Sequence, residues 1–505
     1  MFSRLLVANR GEIAVRVVRA CRELGIETVA VYSEADRRAL HAQLADRAVL
    51  IGPAAPAESY LAIPRIIRAA LETGAEAVHP GYGFLAENAA FARACADAGL
   101  TFVGPPADVI ARMGSKIEAR RLMAAHGVPL VPGEAPDDQS DESLLRAIDH
   151  VGYPALLKPS GGGGGIGMRI VREAGDVSAA LHSARREAAA AFGDPTLYVE
   201  RLLEQPRHVE IQVFADSHGE VVHLFERECS LQRRHQKVIE ESPSPALTPA
   251  LRARMGEAAV AAARAVAYRN AGTIEFLVEG MGDDARFYFL EMNTRLQVEH
   301  PVTEAVTGLD LVQAQLHVAA GGRLPWSRSD ITQRGHAIEC RVYAEDPADE
   351  FLPQSGPLAI YREPRAPGVR IDSGVIEGGD VSVHYDPLLA KVIVHAENRS
   401  AALARASSAL RDFPILGIRT NVPYLRAVLA HPAFVAGEVD TRFLDRETPA
   451  IVAGLGTGDV PDAAIAAAAA AFVGQASRPG SAGSTSLASS GSDPWDVPGP
   501  WVGTR

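Results

Sequence analysis

Apolar and polar positions alternate along the chain with periods that change three times, and each change marks a candidate domain. The run LLVAN at residues 5–9 reads as a short buried strand. GEIAVRVVRACRELG at 11–25 spaces its apolar residues helically, and TVAVYS at 28–33 returns to a strand. Strand, helix and strand in that order form a βαβ unit, which demands a parallel sheet. A helix near 60–73, a strand ending at HPGYGFLAEN and a strand at TFVGP extend this pattern and close an α/β domain over residues 1–114. The region 115–330 reads as mixed α+β: helix, strand, glycine loop, strand, then long antiparallel strands with a helix at 250–267. Short strands between Pro and Gly turns (ECRVYAED, LAIYREP, VRIDSGV, KVIVHA), then a helix at 400–411, make a β-rich third domain over 331–445. The fold class expected is therefore α/β and α+β, in several domains. From 446 the sequence turns Ala-rich and then Ser/Gly-rich, a composition that buries too little apolar surface to order itself. It reads as linker, ending in DPWDVPGPWVGTR as the junction to something more.

Charge narrows the partners. The net charge of -12 argues against nucleic acid or an anionic membrane as a partner, since both require clustered Lys and Arg. The longest apolar run, Ala463 to Val473, falls far short of the roughly 20 residues that span a bilayer. The first residues lack the character of a signal or transit peptide. Cys21, Cys95, Cys229 and Cys340 are widely spaced with no CxxC pair, so reduced thiols and a cytoplasmic location are expected, and a zinc site is not.

Three segments carry candidate chemistry. Between the strands ALLKPS and MRIV lie Gly161–Gly165, Ile166 and Gly167, a loop longer and barer than an ordinary hairpin needs. Glycines let backbone N–H groups approach a polyphosphate closely, so a phosphate cover bounded by Lys158 is favoured over a plain turn. It is no P-loop, because GxxxxGK[ST] is absent, and no GxGxxG follows the first strand. Glu275 and Glu291 lie on two strands around a turn at Gly280–Ala285, so a simple hairpin register sets their carboxylates opposite each other. Opposed like charges need compensation, and a hard divalent cation supplies it. Past Glu291, EMNTRLQVEH alternates; an extended chain would put Glu291, Asn293, Arg295, Gln297 and Glu299 on one face, a metal ligand beside an anion site and a base. The cationic segment Arg227, Arg233, Arg234, His235 and Lys237 precedes this pair and aims at least Lys237 and His235 at bound anions, whereas His79 is expected only as a core histidine.

These segments together resemble the biotin carboxylases of the ATP-grasp superfamily over residues 1–445. VANRGEIAVRVVRA, HPGYGFLAEN, GGGG-x-GM, PRHVEIQV, ERECSLQRRHQKVIEE, EMNTRLQVEHPVTE, GHAIECRVYAED and YDPLLAKVI stand in the family's order and spacing. The resemblance implies a central ATP-grasp domain (115–330) with a glycine-rich lid over about 130–204, and the substrates ATP, bicarbonate and biotin with Mg²⁺ or Mn²⁺. It implies that Lys116, Lys158 and the loop Gly162, Gly163, Gly164, Gly165, Gly167 and Met168 hold the nucleotide phosphates. The backbone from Glu200 to Leu203 would line the adenine pocket, with His208, Gln232 and His235 facing the nucleotide. Glu275, Glu291 and Asn293 would carry the metal. Lys237, Arg295, Gln297 and the Val298 backbone would bind bicarbonate, Glu299 would be the base, and Arg341 would steady the biotin enolate with Tyr82 nearby. The implied reaction passes through carboxyphosphate.

Two departures from the family pattern stand out. Ile166 occupies a lid position that commonly holds Arg or Lys, and no Met-Lys pair occurs, so biotin is expected on a carrier protein in trans or on a biotinyl domain beyond this chain. A carboxyltransferase partner is implied, and the tail leans toward an acyl-CoA carboxylase. Arg19 and Glu23, four apart on the first helix, either pair with each other or serve a homodimer interface as in some family members. The competing readings are another ATP-grasp ligase, which need not share QRRHQKVIEE or GHAIECRVYAED, and a silent nucleotide-binding protein within a carboxylase complex, which would be expected to have lost Lys237, Arg295 or Glu299.

Overall fold

A computed structural model describes residues 1–162 and 165–455. Gly163, Gly164 and most of the expected linker and junction lie outside the described residues. The first sheet is parallel throughout, in the order Arg47–Gly52, Glu27–Ser33, Arg4–Val7, Ala77–His79, Thr101–Phe102. The strand order reverses at the central strand Arg4–Val7, and ligands in open α/β sheets lie at that kind of switch point, beyond the carboxyl ends of the strands. The two loops there, Asn9–Glu12 and Pro80–Phe84, are stapled by Asn9 Nδ2, which donates to the carbonyls of Pro80 (2.7 Å) and Tyr82 (2.8 Å). His79 is the core histidine expected, fully buried with Nε2 3.2 Å from Gln315, and burial lowers its pKa to about 4.

A four-stranded antiparallel sheet (Gly133–Glu134, Leu197–Arg201, Ala155–Pro159, Arg169–Val171) with helices Asp141–Val151 and Val177–Phe192 forms the lid region. It has an apolar core of its own around Leu144, Ile148, Leu157, Leu181 and Val199. The glycine loop joins two strands paired Leu157 to Arg169, the hairpin that the sequence implies.

The largest sheet has eight antiparallel strands: Arg286–Asn293, Asn270–Glu279, Arg207–Ala215, Val221–Arg233, Gln236–Ser242, His336–Tyr343, Leu388–Ala396 and Val369–Ser373. It runs straight through the expected boundary at 330. The free edge of Gln236–Ser242 is paired by His336–Tyr343, so the C-terminal strands extend the central sheet instead of starting another. That continuity brings Lys237, Arg341 and the Glu275–Glu291 hairpin onto one framework. Beyond 446 the chain stays helical, over Phe443–Gly454, because Phe443, Leu444 and Ile451 pack into the C-terminal core; the ordered part therefore outruns the expected linker boundary. Among the described residues no helix is long and apolar enough to cross a membrane, and all four cysteines are free and buried.

Candidate active site

Two cavities share a wall made by His208 and His235. One, of about 660 Å³, lies between the switch-point loops and the large sheet and is lined by Glu12, Tyr82, Lys237, Arg295, Val298 and Arg341 among others. The second, of about 570 Å³, lies under the lid and is lined by Lys158, Gly165, Met168, Glu200, Leu203 and Gln232. Most of the described residues that the sequence nominates border one of the two or contact a residue that does; Gly162 is linked to them only through Lys116, which lies 3.1 Å from Glu291.

The geometry follows from strand register. Glu275 and Glu291 are cross-strand partners, as the hairpin spacing implies, with an irregularity directly after Glu275. Glu210 is paired with Glu275 on the other side, so three carboxylates stand in a row across three strands. Lys237 compensates two of the three and a further carboxylate outside the row: its ammonium donates to Glu210 (2.6 Å), Glu275 (2.9 Å) and Glu299 (2.6 Å), while Glu291 is met by Lys116. Burial opposes the Lys237 charge, but Glu210, Glu275 and Glu299 hold its pKa well above the usual value. Glu299 is fully buried, which by itself would raise its pKa. Lys237, Arg341 and Arg227 overcome burial and keep it well below the usual carboxylate range. Arg341 reaches Glu299 with Nη2 (2.9 Å) and Glu240 with Nε (2.6 Å).

The chain is extended only to Asn293; from Thr294 it turns into the helix His300–Thr307, which corrects the expectation of one continuous strand face through Glu299. The polar side chains converge nonetheless, because Met292 and Leu296 are drawn into the core and anchor the turn. Arg295 donates to Asn293 Oδ1 (2.9 Å) and Gln297 Oε1 (2.9 Å), and is held from behind by Glu87 (2.6 Å). Glu87, Glu210, Arg227 and Glu240 are site residues to which the sequence pattern assigns no role. Alternation from His208 along HVEIQV was the available signal for Glu210. Nothing local pointed to Glu87, which lies 208 residues before Arg295.

Under the lid, Lys158 Nζ donates to Glu200 (3.0 Å) and lies over the Tyr198 ring. Burial opposes the Lys158 charge, while Glu200 and Tyr198 raise its pKa above the usual value. Lys116 bonds the Gly162 carbonyl and sits 3.1 Å from Glu291. His208 Nε2 lies 3.1 Å from Glu275, and its Nδ1 is 3.0 Å from Gln232 Nε2. Arg234 and His235 form a two-residue hairpin turn, both at positive φ (50° and 65°), a strained conformation for residues other than glycine and one that collects at functional sites. It presses the His235 ring against Gly165, whose φ is +75°. An added Cβ would meet His235 Cδ2 at 2.3 Å. Gly165→Ala is expected to raise the KM for MgATP about tenfold, with little change in Tm, in an ATP titration of turnover; about 1 kcal/mol or more of strain at the lid accounts for that factor.

The donor set suits a hard cation. Glu275, Glu291 and Asn293 offer oxygen atoms on facing strands, as Mg²⁺ or Mn²⁺ requires, the Asn293 oxygen being the one that accepts from Arg295. His208, Glu210 and Glu275 also cluster, but Glu210 is already held by Arg227 and Lys237.

Residues 1–110 match the family described as biotin carboxylase, N-terminal domain, residues 115–327 the carbamoyl-phosphate synthase L chain ATP-binding domain, and residues 339–446 the biotin carboxylase C-terminal domain. The chain is 51% identical over 444 residues to the biotin carboxylase of Halalkalibacterium halodurans, covering 88% of this chain and 97% of that one. It is 54% identical over 444 residues to the α chain of mitochondrial methylcrotonoyl-CoA carboxylase from Oryza sativa, covering 88% of this chain but only 60% of that relative. Among solved structures, the biotin carboxylase domain dimer of Hydrogenobacter thermophilus 2-oxoglutarate carboxylase, in complex with MgADP, ADP and bicarbonate, matches with a TM-score of 0.86 and 45% identity over 90% of this chain and 99% of that one. The chain belongs to the biotin carboxylase family.

Proposed function

We propose that this chain carries out the ATP-dependent carboxylation of biotin by bicarbonate, with the residues in the roles that their positions support. The observation that carries the reading is the Glu299 carboxylate, buried and ionised between Lys237 and Arg341, two residues that line a cavity which also presents Arg295, Gln297 and Val298. A small anion fits there, within reach of a base and beside the nucleotide cavity.

Glu299 takes the bicarbonate proton, and the bicarbonate oxygen then attacks the γ-phosphorus of ATP, releasing ADP and forming carboxyphosphate. Lys116, Lys158 and the glycine loop hold the phosphates, and Lys237 and Arg295 hold the bicarbonate oxygens where charge gathers. When bound at Glu275, Glu291 and Asn293, Mg²⁺ or Mn²⁺ supplies charge neutralisation to the phosphates. Carboxyphosphate yields CO₂ and phosphate; the phosphate removes the ureido proton of biotin, and the enolate, steadied by Arg341 beside Tyr82, captures CO₂. Closure of the lid keeps water from these labile species.

Finer assignments follow the same reading. Biotin arrives on a carrier protein or a biotinyl domain, a carboxyltransferase takes the product, the chain works as a homodimer, and the buried reduced thiols suit the cytoplasm. Glu23 accepts a bond from Gln313 of its own chain (2.6 Å), and Arg19 lies close to Glu363, where it opposes the rise that burial gives that carboxyl's pKa. The final acceptor differs between the methylcrotonoyl-CoA and 2-oxoglutarate carboxylases named above.

The test is ADP release from MgATP and bicarbonate with and without free biotin. Stimulation by biotin supports the reading; nucleotide binding with no response to biotin or bicarbonate favours another ATP-grasp ligase. Addition of EDTA in excess over the metal should abolish the turnover, and Mn²⁺ should restore it.

A further inference from the structure

We propose that Lys391 is a positioning residue for the bicarbonate step: its buried ammonium fixes the Val298 carbonyl and through it the aim of Val298 and Glu299. The inference rests on the function proposed above. Lys391 is fully buried, on the strand Leu388–Ala396, directly opposite Arg341 in the sheet register. Its Nζ donates to the Val298 carbonyl at 2.8 Å, and Arg341 grips the side chain of the next residue, Glu299, at 2.9 Å. Two cations from adjacent C-terminal strands thus seize consecutive residues of a turn that belongs to the central region, one by backbone and one by side chain. The Val298 and Glu299 turn lies outside any strand, so it has no ladder of its own to hold it.

A lysine brought to 0% exposure incurs a large desolvation cost, and carboxylates must offset it. Glu12, from the switch-point loop, lies 3.2 Å from Nζ, and Asp372, on the neighbouring strand and opposite Lys391 in register, lies 3.8 Å away. Asp372 is itself chelated by Arg370 (2.7 Å), so its charge is already shared. The Tyr82 ring lies 5.8 Å from the ammonium on the cavity side. A purely structural ion pair would be satisfied by Glu12 and Asp372; the shortest contact is instead the carbonyl that adjoins the proposed base. The Lys391 ammonium therefore links the first sheet, the large sheet and the turn that presents the anion site.

The test compares Lys391→Met and Lys391→Arg with the wild type in the full chain, using free biotin, MgATP and bicarbonate, together with MgADP binding by calorimetry. The Met side chain fills similar space without the donor. The expected result is a KM for bicarbonate at least tenfold higher in Lys391→Met, with MgADP affinity within twofold of wild type, and recovery to within about threefold in Lys391→Arg. If Lys391→Met does not melt cooperatively, the Glu12→Gln/Lys391→Met pair, which removes the orphaned charge as well, is measured in its place and is expected to show the same split. An unchanged bicarbonate KM, or a parallel loss of MgADP affinity, overturns the proposal. Wild-type protein that shows no turnover with bicarbonate and biotin overturns instead the function on which it rests.

Discussion

Glu299→Gln should lose biotin-dependent ADP release by about 10³-fold while binding MgADP as the wild type does. General-base removal costs about 10²–10⁴ in rate; the amide keeps the volume, but its one oxygen can accept from Lys237 or from Arg341 and not from both. The expected signature is a fall in kcat with little change in the KM for ATP or in MgADP affinity, accompanied by a lower Tm because two buried cations lose a counter-charge. Calorimetry with MgADP alongside the rate assay separates the loss of rate from a loss of binding. Because the cations around Glu299 hold its pKa well below the usual carboxylate range, it stays ionised throughout the neutral range. Any loss of wild-type activity between pH 6 and 8 must then come from another group, and the Gln variant should retain the shape of whatever profile its residual activity shows.

Lys237→Met should be the more damaging change, in both rate and stability. One ammonium bonds Glu210, Glu275 and Glu299, and all three carboxylates are buried. Removal leaves them facing each other with Arg227, Arg341, His208 and Arg295 as the remaining nearby positive charge among the described residues. Breaking a buried pair by deleting one partner costs about 3–5 kcal/mol, so a lower Tm is expected as well as a rate loss of at least 10²-fold. The sign of the metal response is diagnostic. Glu275 is among the orphaned carboxylates, so added Mg²⁺ should raise the Tm of Lys237→Met more than that of the wild type. Equal thermal shifts in the two proteins would contradict the account of how this cluster is balanced.

The opening βαβ unit, the glycine hairpin and the Glu275–Glu291 pairing were legible because each is local: periodicity and turn length decide them within about thirty residues, whereas the pairing of Arg4–Val7 with Ala77–His79 joins strands about seventy residues apart. The limits of legibility were long-range. The joining of His336–Tyr343 to Gln236–Ser242 pairs strands nearly a hundred residues apart, and no pattern within either strand announces its neighbour. The same holds for Glu87 behind Arg295 and for Lys391 behind Val298, where the chain brings together residues 208 and 93 positions apart. In EMNTRLQVEH the alternation sets Met292, Leu296 and Val298 opposite the polar residues; Met292 and Leu296 are buried in the core, whereas Val298 lines the cavity beside Arg295 and Gln297. The alternation missed the turn after Asn293, since a residue pointing into a cavity and one pointing along a strand face look alike in sequence. Ile166, half exposed on the lid, is a departure from its family's pattern that the surrounding contacts do not explain.

The most direct test of the central claim follows oxygen. Bicarbonate labelled with ¹⁸O is supplied with MgATP and free biotin, and the inorganic phosphate is analysed by mass spectrometry. Attack of a bicarbonate oxygen on the γ-phosphorus predicts one ¹⁸O atom in each phosphate released, in an amount that rises with biotin and disappears in Glu299→Gln. Phosphate without label, formed at the same rate whether or not bicarbonate is present, would mean that water attacks the nucleotide and that the cavity beside Glu299 does not activate bicarbonate.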